Sequence, residues 1–221
     1  MKKALICFTR IPKPGKTKTR LMPFLSGENC TGLHTAFLRD ISRILEEYAV
    51  PCYIYYTGLE EPSELQVLKD IFPFAAGFLP QLGEDLGEKM HNALKHVLSL
   101  GYEACLLTGS DLPLMGAKHL DSGFKALEKA DVTLGPTEDG GYYLVGIKKP
   151  CPELFSNQQY GGGSVYESAV AAIAHSGRSF CQALHCSDVD TPEDLMQLEK
   201  LIDPNSFTAS YLRDINVFRG E

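Results

Sequence analysis

The feature that most restricts the fold is a regular alternation of short apolar runs with longer stretches of helical spacing. Strand-like runs stand at Ala4–Phe8, Cys52–Thr57, Phe74–Leu79, Ala104–Thr108, Asp131–Leu134 and Tyr142–Ile147, with a weaker one at Ser179–Leu184. Between them Leu33, Phe37, Leu38, Ile41, Ile44 and Leu45 recur at helical spacing, as do Leu86, Met90, Ala93, Leu94, Val97 and Leu98, and then Leu120, Phe124 and Leu127. Strands alternating with helices of this length make βαβ units. The expected fold is therefore α/β, with a mainly parallel sheet covered by helices on both faces. At 44% hydrophobic and 22% charged residues over 221 positions, one domain can bury its own core. That domain is placed at residues 1–203. Residues 204–221, with Tyr211, Ile215, Val217 and Phe218, form a tail that either docks as a last segment or extends towards a partner.

Several function classes are disfavoured. No apolar run approaches the roughly 18 residues of a membrane span, and Ala4–Phe8 is too short for a signal-peptide core. A soluble cytoplasmic protein is expected. The seven cysteines are scattered without a CxxC pair, as suits reduced core thiols, and Cys181, His185 and Cys186 lack the second ligand pair a structural zinc site needs. A net charge of −7 speaks against a nucleic-acid binder. Against that acidic background Arg10, Lys13, Lys16, Lys18 and Arg20 form a concentrated basic segment containing no acid.

Ligands of open α/β sheets bind at the carboxyl ends of the strands, so the residues after each strand carry the functional reading. After the first run come Thr9, Arg10, Lys13, Gly15, Lys16 and Arg20, with Pro12 and Pro14 stiffening the path. Gly15 lets backbone N–H groups approach a ligand and the cations neutralise a polyanion, which is what a nucleotide's phosphates require. A P-loop is excluded, because the first glycine of that motif would fall on Arg10. After the fourth run, Asp111 emerges in Gly109-Ser110-Asp111-Leu112-Pro113. A carboxylate facing a phosphate loop implies a cation between them, and Mg²⁺ uses one or two carboxylates plus phosphate oxygens. The alternative, a cap on the next helix, places Asp111 rather far upstream. Either Asp190 or Thr191 can cap a helix that starts at Pro192, and Asp190 is the expected second metal ligand, with Asp188 in reserve. Glu138, Asp139, Gly140, Gly141 and Tyr142 read either as a hairpin turn or as a loop touching an acceptor or sugar. Gly83 and Lys89 flank a helix start capped by Asp85 and are further nucleotide-binding candidates.

Taken in order, Lys13-Pro14-Gly15-Lys16-Thr17-Lys18-Thr19-Arg20-Leu21, Gly109-Ser110-Asp111-Leu112-Pro113, Asp139-Gly140-Gly141-Tyr142 and Asp190-Thr191-Pro192-Glu193-Asp194-Leu195 make the chain resemble the nucleotide-diphospho-sugar transferase superfamily. Within it the resemblance is to bacterial glycosyltransferase-like proteins related to phospholactate guanylyltransferase, over residues 3 to 202. The resemblance implies a GT-A-like, Rossmann-like three-layer fold with the nucleotide over the first strand's loop. It implies Mg²⁺ or Mn²⁺ held by Asp111 and Asp190, with Lys16 and Arg20 on the phosphates; Lys16, Arg20 and Asp111 are then the catalytic set. It departs from the superfamily's glycine-rich GxGTR-type loop, having lysines at 13, 16 and 18, and from the Asp-x-Asp of many glycosyltransferases, having one acid after Ser110.

Three functions stay open. Mg²⁺-dependent nucleotidyl transfer from a nucleoside triphosphate to a small phosphorylated or hydroxyl acceptor, releasing pyrophosphate, is favoured by the density of lysines and by the single acid of Gly109-Ser110-Asp111. Glycosyl transfer from a nucleotide sugar is the alternative, and a non-catalytic nucleotide-binding regulatory module is the third. The partners expected are a nucleotide and a small-molecule acceptor, and a homodimer is compatible with the chain.

Overall fold

The computed structural model describes residues 1–217, so Phe218 lies outside the described residues. In chain order the elements are β1 (Lys3–Arg10), α1 (Gly27–Tyr48), β2 (Cys52–Thr57), α2 (Leu65–Ile71), β3 (Gly77–Pro80), α3 (Leu86–Ser99), β4 (Ala104–Thr108), α4 (Ala117–Lys129), β5 (Val132–Pro136), β6 (Tyr142–Ile147), α5 (Pro152–Phe155), α6 (Val165–His175), β7 (Phe180–Gln182), α7 (Pro192–Leu201) and α8 (Phe207–Asp214). The strands form one sheet in the order β3-β2-β1-β4-β6-β5-β7. Among the described residues only β6 runs antiparallel to its neighbours; the other pairings are parallel.

Because β1 and β4 are wrapped on both sides, successive residues of each strand enter opposite cores. Leu5, Cys7 and Leu106 pack with Leu38 and Ile41 of α1 and Leu120 and Phe124 of α4. Ala4, Ile6, Phe8 and Leu107 pack with Met90, Leu94 and Val97 of α3 and Ile173 of α6. This is the expected three-layer arrangement. A third cluster lies outside α1, where Leu33 and Phe37 meet Leu195 and Leu198 of α7 and Leu212 of α8.

The third strand begins at Gly77 rather than Phe74, whose ring instead meets Phe72 edge-on at 6.2 Å. The helices α2, α6 and α8 carry no sequence pattern strong enough to announce them. Docking of α8 is decided by Asp40 of α1, a buried carboxylate that accepts hydrogen bonds from the N–H groups of Phe207 (2.8 Å) and Thr208 (2.9 Å). Those are the unpaired donors of a helix N-terminus, where a negative charge is favoured. Among the described residues no helix is long and apolar enough to cross a membrane.

The chain crosses from β1 out to β2 and β3, then returns through α3 to β4 on β1's other side. The loops after β1 and β4 therefore diverge, and the crevice between them is the switch point where such sheets bind ligands.

Candidate functional site

A cleft of about 450 Å³ opens at that switch point, lined from β1 and its loop by Thr9, Arg10, Lys16, Lys18 and Arg20, from β4's end by Ser110 and Asp111, and from the start of α7 by Asp190. The three segments are tied together locally. The Val189 N–H donates to the Asp111 carbonyl at 3.0 Å, which sets the two acidic loops side by side. Arg10 donates to the Lys16 carbonyl at 3.0 Å, and the Lys13 N–H donates to Thr17 Oγ1 at 3.1 Å, so the loop after β1 is closed on itself. Gly15 takes a left-handed backbone (φ 72°), and so does Lys18 (φ 51°), a conformation a non-glycine residue adopts at a cost of about 1 kcal/mol or more.

Lys18 is where the strain leads. Its side chain is 3% exposed, and its ammonium lies 2.8 Å from Asp111 Oδ1 and 3.1 Å from Asp190 Oδ1. It also donates to the Val189 carbonyl and stands over the Phe37 ring, 5.2 Å from its centroid. A buried ammonium is tolerated only when paired and hydrogen-bonded, and here it donates to Asp190 and to the Val189 carbonyl and is ion-paired with Asp111. His34, buried on α1, completes the arrangement: Nδ1 lies 3.5 Å from Asp111 Oδ1, and Nε2 lies 3.3 Å from the Arg10 carbonyl and 3.4 Å from Thr9 Oγ1. Burial by itself would push the Asp111 carboxyl up, but Lys18 and then His34 outweigh it and hold the group well below the usual carboxylate range. Asp188, close by, goes the other way, pushed up to about 6 by burial and then by the charges of Asp190 and Asp139.

The structure divides the five cations of the basic segment. Lys18 is engaged by the acids. Lys13 turns away to Glu64 (2.8 Å) and Glu60 (3.3 Å), and does not line the cleft. Arg10, Lys16 and Arg20 remain exposed in it, Arg20 within 3.4 Å of Asp190 Oδ2. Gly15 is exposed and does not line the cleft, and a Cβ on Gly27 would lie 3.1 Å from its amide nitrogen. Gly83 and Lys89 do not reach the cleft either: Gly83 is needed because a Cβ there would sit 2.8 Å from the Lys89 amide nitrogen. Asp85 caps α3 by accepting from the Glu88 N–H at 2.8 Å.

The segment from Glu138 to Tyr142 is the hairpin between β5 and β6. Asp139 accepts from the Gly141 N–H at 3.0 Å and from the Thr137 hydroxyl, so its carboxylate serves the turn. Gly140 (φ 82°) packs against Gly163, whose carbonyl oxygen a Cβ would meet at 2.0 Å. Of the five, Tyr142 lines a second, smaller pocket beyond Asp111. Thr191 caps α7 by accepting from the Asp194 N–H at 3.2 Å, which leaves Asp190 free to face the cleft.

Lys18 and His34 were not singled out from the sequence. A signal existed for His34, which shares the stripe His34, Leu38, Ile41, Leu45, all buried, and is the one polar member of it. Nothing local marks Lys18 from its neighbouring lysines.

Whether these residues suit a divalent metal follows from their donors. Asp111 and Asp190 each turn Oδ1 to the Lys18 ammonium and keep a second carboxylate oxygen, and hard oxygens are what Mg²⁺ and Mn²⁺ select. Among the described residues no group of three or more His, Cys, Asp or Glu side chains is disposed to hold a metal. Two carboxylates fit a Mg²⁺ whose coordination is completed by phosphate oxygens and water, and do not fit a self-sufficient metal cage.

The model of the family described as "Uncharacterized protein conserved in bacteria" (DUF2064) matches residues 27–162. The 2-phospho-L-lactate guanylyltransferase of Methanocaldococcus fervens is 28% identical over 207 residues, covering 90% of this chain and 86% of the relative. The enzyme of the same name from Methanocaldococcus jannaschii is 27% identical over 208 residues, covering 90% and 84%. A crystal structure from Desulfovibrio desulfuricans G20, described as a candidate nucleotide-diphospho-sugar transferase, superposes with a TM-score of 0.89 at 29% identity over 97% of this chain and 95% of that one. A 4-diphosphocytidyl-2C-methyl-D-erythritol synthase from Anaerococcus prevotii shares the fold alone, with a TM-score of 0.54 at 13% identity over 96% and 97%. The superfamily resemblance read from the four motifs is borne out, as is the three-layer fold it implied.

Proposed function

From the premise that the chain belongs to the DUF2064 family and, by its relatives, is a transferase, we propose that it moves a nucleotidyl group from a nucleoside triphosphate to a small acceptor and releases pyrophosphate. Guanosine triphosphate is the donor to test first, because the methanogen relatives carry guanylyl transfer in their name. The observation that carries the reading is the convergence of three exposed cations, Arg10, Lys16 and Arg20, on one cleft with Asp111 and Asp190.

In this reading Lys16 and Arg20 bind the phosphate chain and stabilise the charge that develops on departing pyrophosphate. Such transfers need positioning and fixed charge more than covalent participation by the protein. Asp111 and Asp190 would hold the Mg²⁺ or Mn²⁺ that arrives with the triphosphate, and the ion would supply further neutralisation of the phosphates. Lys18 keeps both carboxylates at the same edge of the cleft, and His34 steadies Asp111 from behind. Glycosyl transfer is the second reading, supported by the description of the Desulfovibrio structure.

A thermal-shift panel of nucleoside triphosphates and nucleotide sugars, with Mg²⁺, Mn²⁺ or chelator, tests the reading, since a ligand bound to the native state raises the melting temperature. A metal-dependent shift with a triphosphate, followed by pyrophosphate release, is expected. Release of a nucleoside diphosphate from a nucleotide sugar would favour the second reading, and no shift with any nucleotide would sink both. Asp111→Asn is expected to abolish turnover and to weaken the metal-dependent part of the nucleotide shift; a fully active variant would remove Asp111 from its assigned role.

A further inference from the structure

Beyond Ser110 and Asp111 the cleft continues into a second pocket of about 180 Å³, which shares Phe8, Leu86, Gly109, Ser110 and Asp111 with the first. The two halves differ sharply in chemistry. The first carries the exposed cations Arg10, Lys16 and Arg20; among the described residues no lysine, arginine or histidine lines the second. Its walls are apolar, with Met90 from α3 and Leu107 and Val145 from the sheet, and its charged groups are the carboxylates of Asp111 and Asp188. Tyr142 closes one side, its hydroxyl 3.3 Å from that of Tyr160.

Resting on the nucleotidyl-transfer reading, in which the cationic half takes the triphosphate, we propose that the second pocket receives the acceptor and that this acceptor is a small alcohol with an apolar body and no anionic group. A phosphorylated acid of the kind named for the methanogen relatives would bring several negative charges against apolar walls and the Asp188 carboxylate, while Lys18, which pairs with Asp111, and the exposed cations all line the other half. An ion moved from water into a pocket that no cation of the chain lines is disfavoured. A neutral or amino alcohol meets no such penalty: its carbon body lies on Met90, Leu107 and Val145, and its hydroxyl faces Ser110 and Asp111 at the junction of the two halves. In the transfer the acceptor oxygen forms its bond to the α-phosphorus as that phosphorus loses its bond to the oxygen bridging to the β-phosphate. Pyrophosphate leaves with that electron pair, and the hydroxyl proton passes to water.

The test titrates the full-length protein with 2-methylpropane-1,3-diol, with choline and with 2-phospho-L-lactate. Each is added to nucleotide-free protein and to protein saturated with Mg²⁺ and a non-hydrolysable guanosine triphosphate analogue, and melting temperature is read. The expected result is a saturable upward shift with the diol or choline and a shift at least tenfold weaker in apparent affinity with phospholactate. A stronger shift with phospholactate overturns the proposal, and so does the absence of a shift with both the diol and choline. The nucleotide-free series reads the pocket even if no nucleotide binds, so failure of the donor reading and failure of the acceptor class appear as separate results.

Discussion

Two glycine-bearing loops sit at the same end of the sheet and read alike in the sequence, yet they do different things. The loop after β1 follows a strand whose neighbours are parallel, so it must span from sheet to helix and cannot satisfy its charges by strand pairing. It pairs its cations with remote acids and leaves three of them in the cleft. The Asp139-Gly140-Gly141 turn joins antiparallel neighbours, and its polar groups are met within the turn or by the adjoining helix: Asp139 accepts from Gly141 and Thr137, and the Gly140 carbonyl from the Tyr166 N–H of α6 at 2.9 Å. A loop that satisfies itself shapes a wall, whereas one whose charges are left over can bind.

That contrast can be broken most severely at Lys18. Replacing it by Met leaves two carboxylates facing each other without their shared cation; since both keep some solvent, destabilisation near the lower end for a broken buried pair, about 3 kcal/mol, is expected in urea unfolding. A loss below about 1 kcal/mol would mean the bridge is not a fixed feature of the folded state. Lys16→Ala, in the same loop but exposed, should change stability by no more than about 0.5 kcal/mol. Its effect belongs to turnover, with kcat/KM expected to fall about a hundredfold, or ~2.7 kcal/mol, in a pyrophosphate-release assay. In the hairpin the expectation inverts. Gly140→Ala forces a Cβ towards the Gly163 carbonyl in a left-handed conformation, so about 2 kcal/mol of stability should be lost while the nucleotide-induced shift in melting temperature survives. Loss of the nucleotide shift alone, at unchanged stability, would move the hairpin into the binding machinery.

The smallest effect is expected at Lys13, the cation turned outward. Glu64 is held at about 2, first by Lys13 and then by the N–H groups of Glu60 and Glu61. Because its carboxyl is depressed in the folded state, the tether is fully present above the ordinary glutamate value of about 4.3 and is lost as pH falls towards 2. Protection from hydrogen exchange in residues 60–64, relative to the intrinsic rate at each pH, should fall across that interval in the native protein and should already be low at neutral pH in Glu64→Gln, with nucleotide affinity unchanged within about twofold.

Much of the fold was legible because hydrophobic period is a local property. Three strands, Cys52–Thr57, Ala104–Thr108 and Tyr142–Ile147, begin and end where their apolar runs do. The short edge strand β7 and the helices α2 and α8 were less legible, since their placement depends on what they pack against. Asp85 and Thr191 could be read as caps for the same reason of locality, and both cap their helices. The acidic half of the cleft was legible in Asp111 and Asp190, but the lysine between them was not, because Lys18 reaches an acid 172 positions away.

By itself the sequence determined an α/β sheet with a basic loop after its first strand and acids after its fourth and before its last long helix, since strand alternation and loop order are written in consecutive residues. Only the tertiary structure decided which cation does what: Lys13 goes to Glu60 and Glu64, Lys18 to Asp111 and Asp190, and Arg10, Lys16 and Arg20 to the cleft. Five like charges within eleven residues are equivalent along the chain. They become different when folding draws Lys13 and Lys18 out of water, where an unpaired charge is not tolerated, and sets them beside carboxylates, while the rest face water, where a ligand can take them.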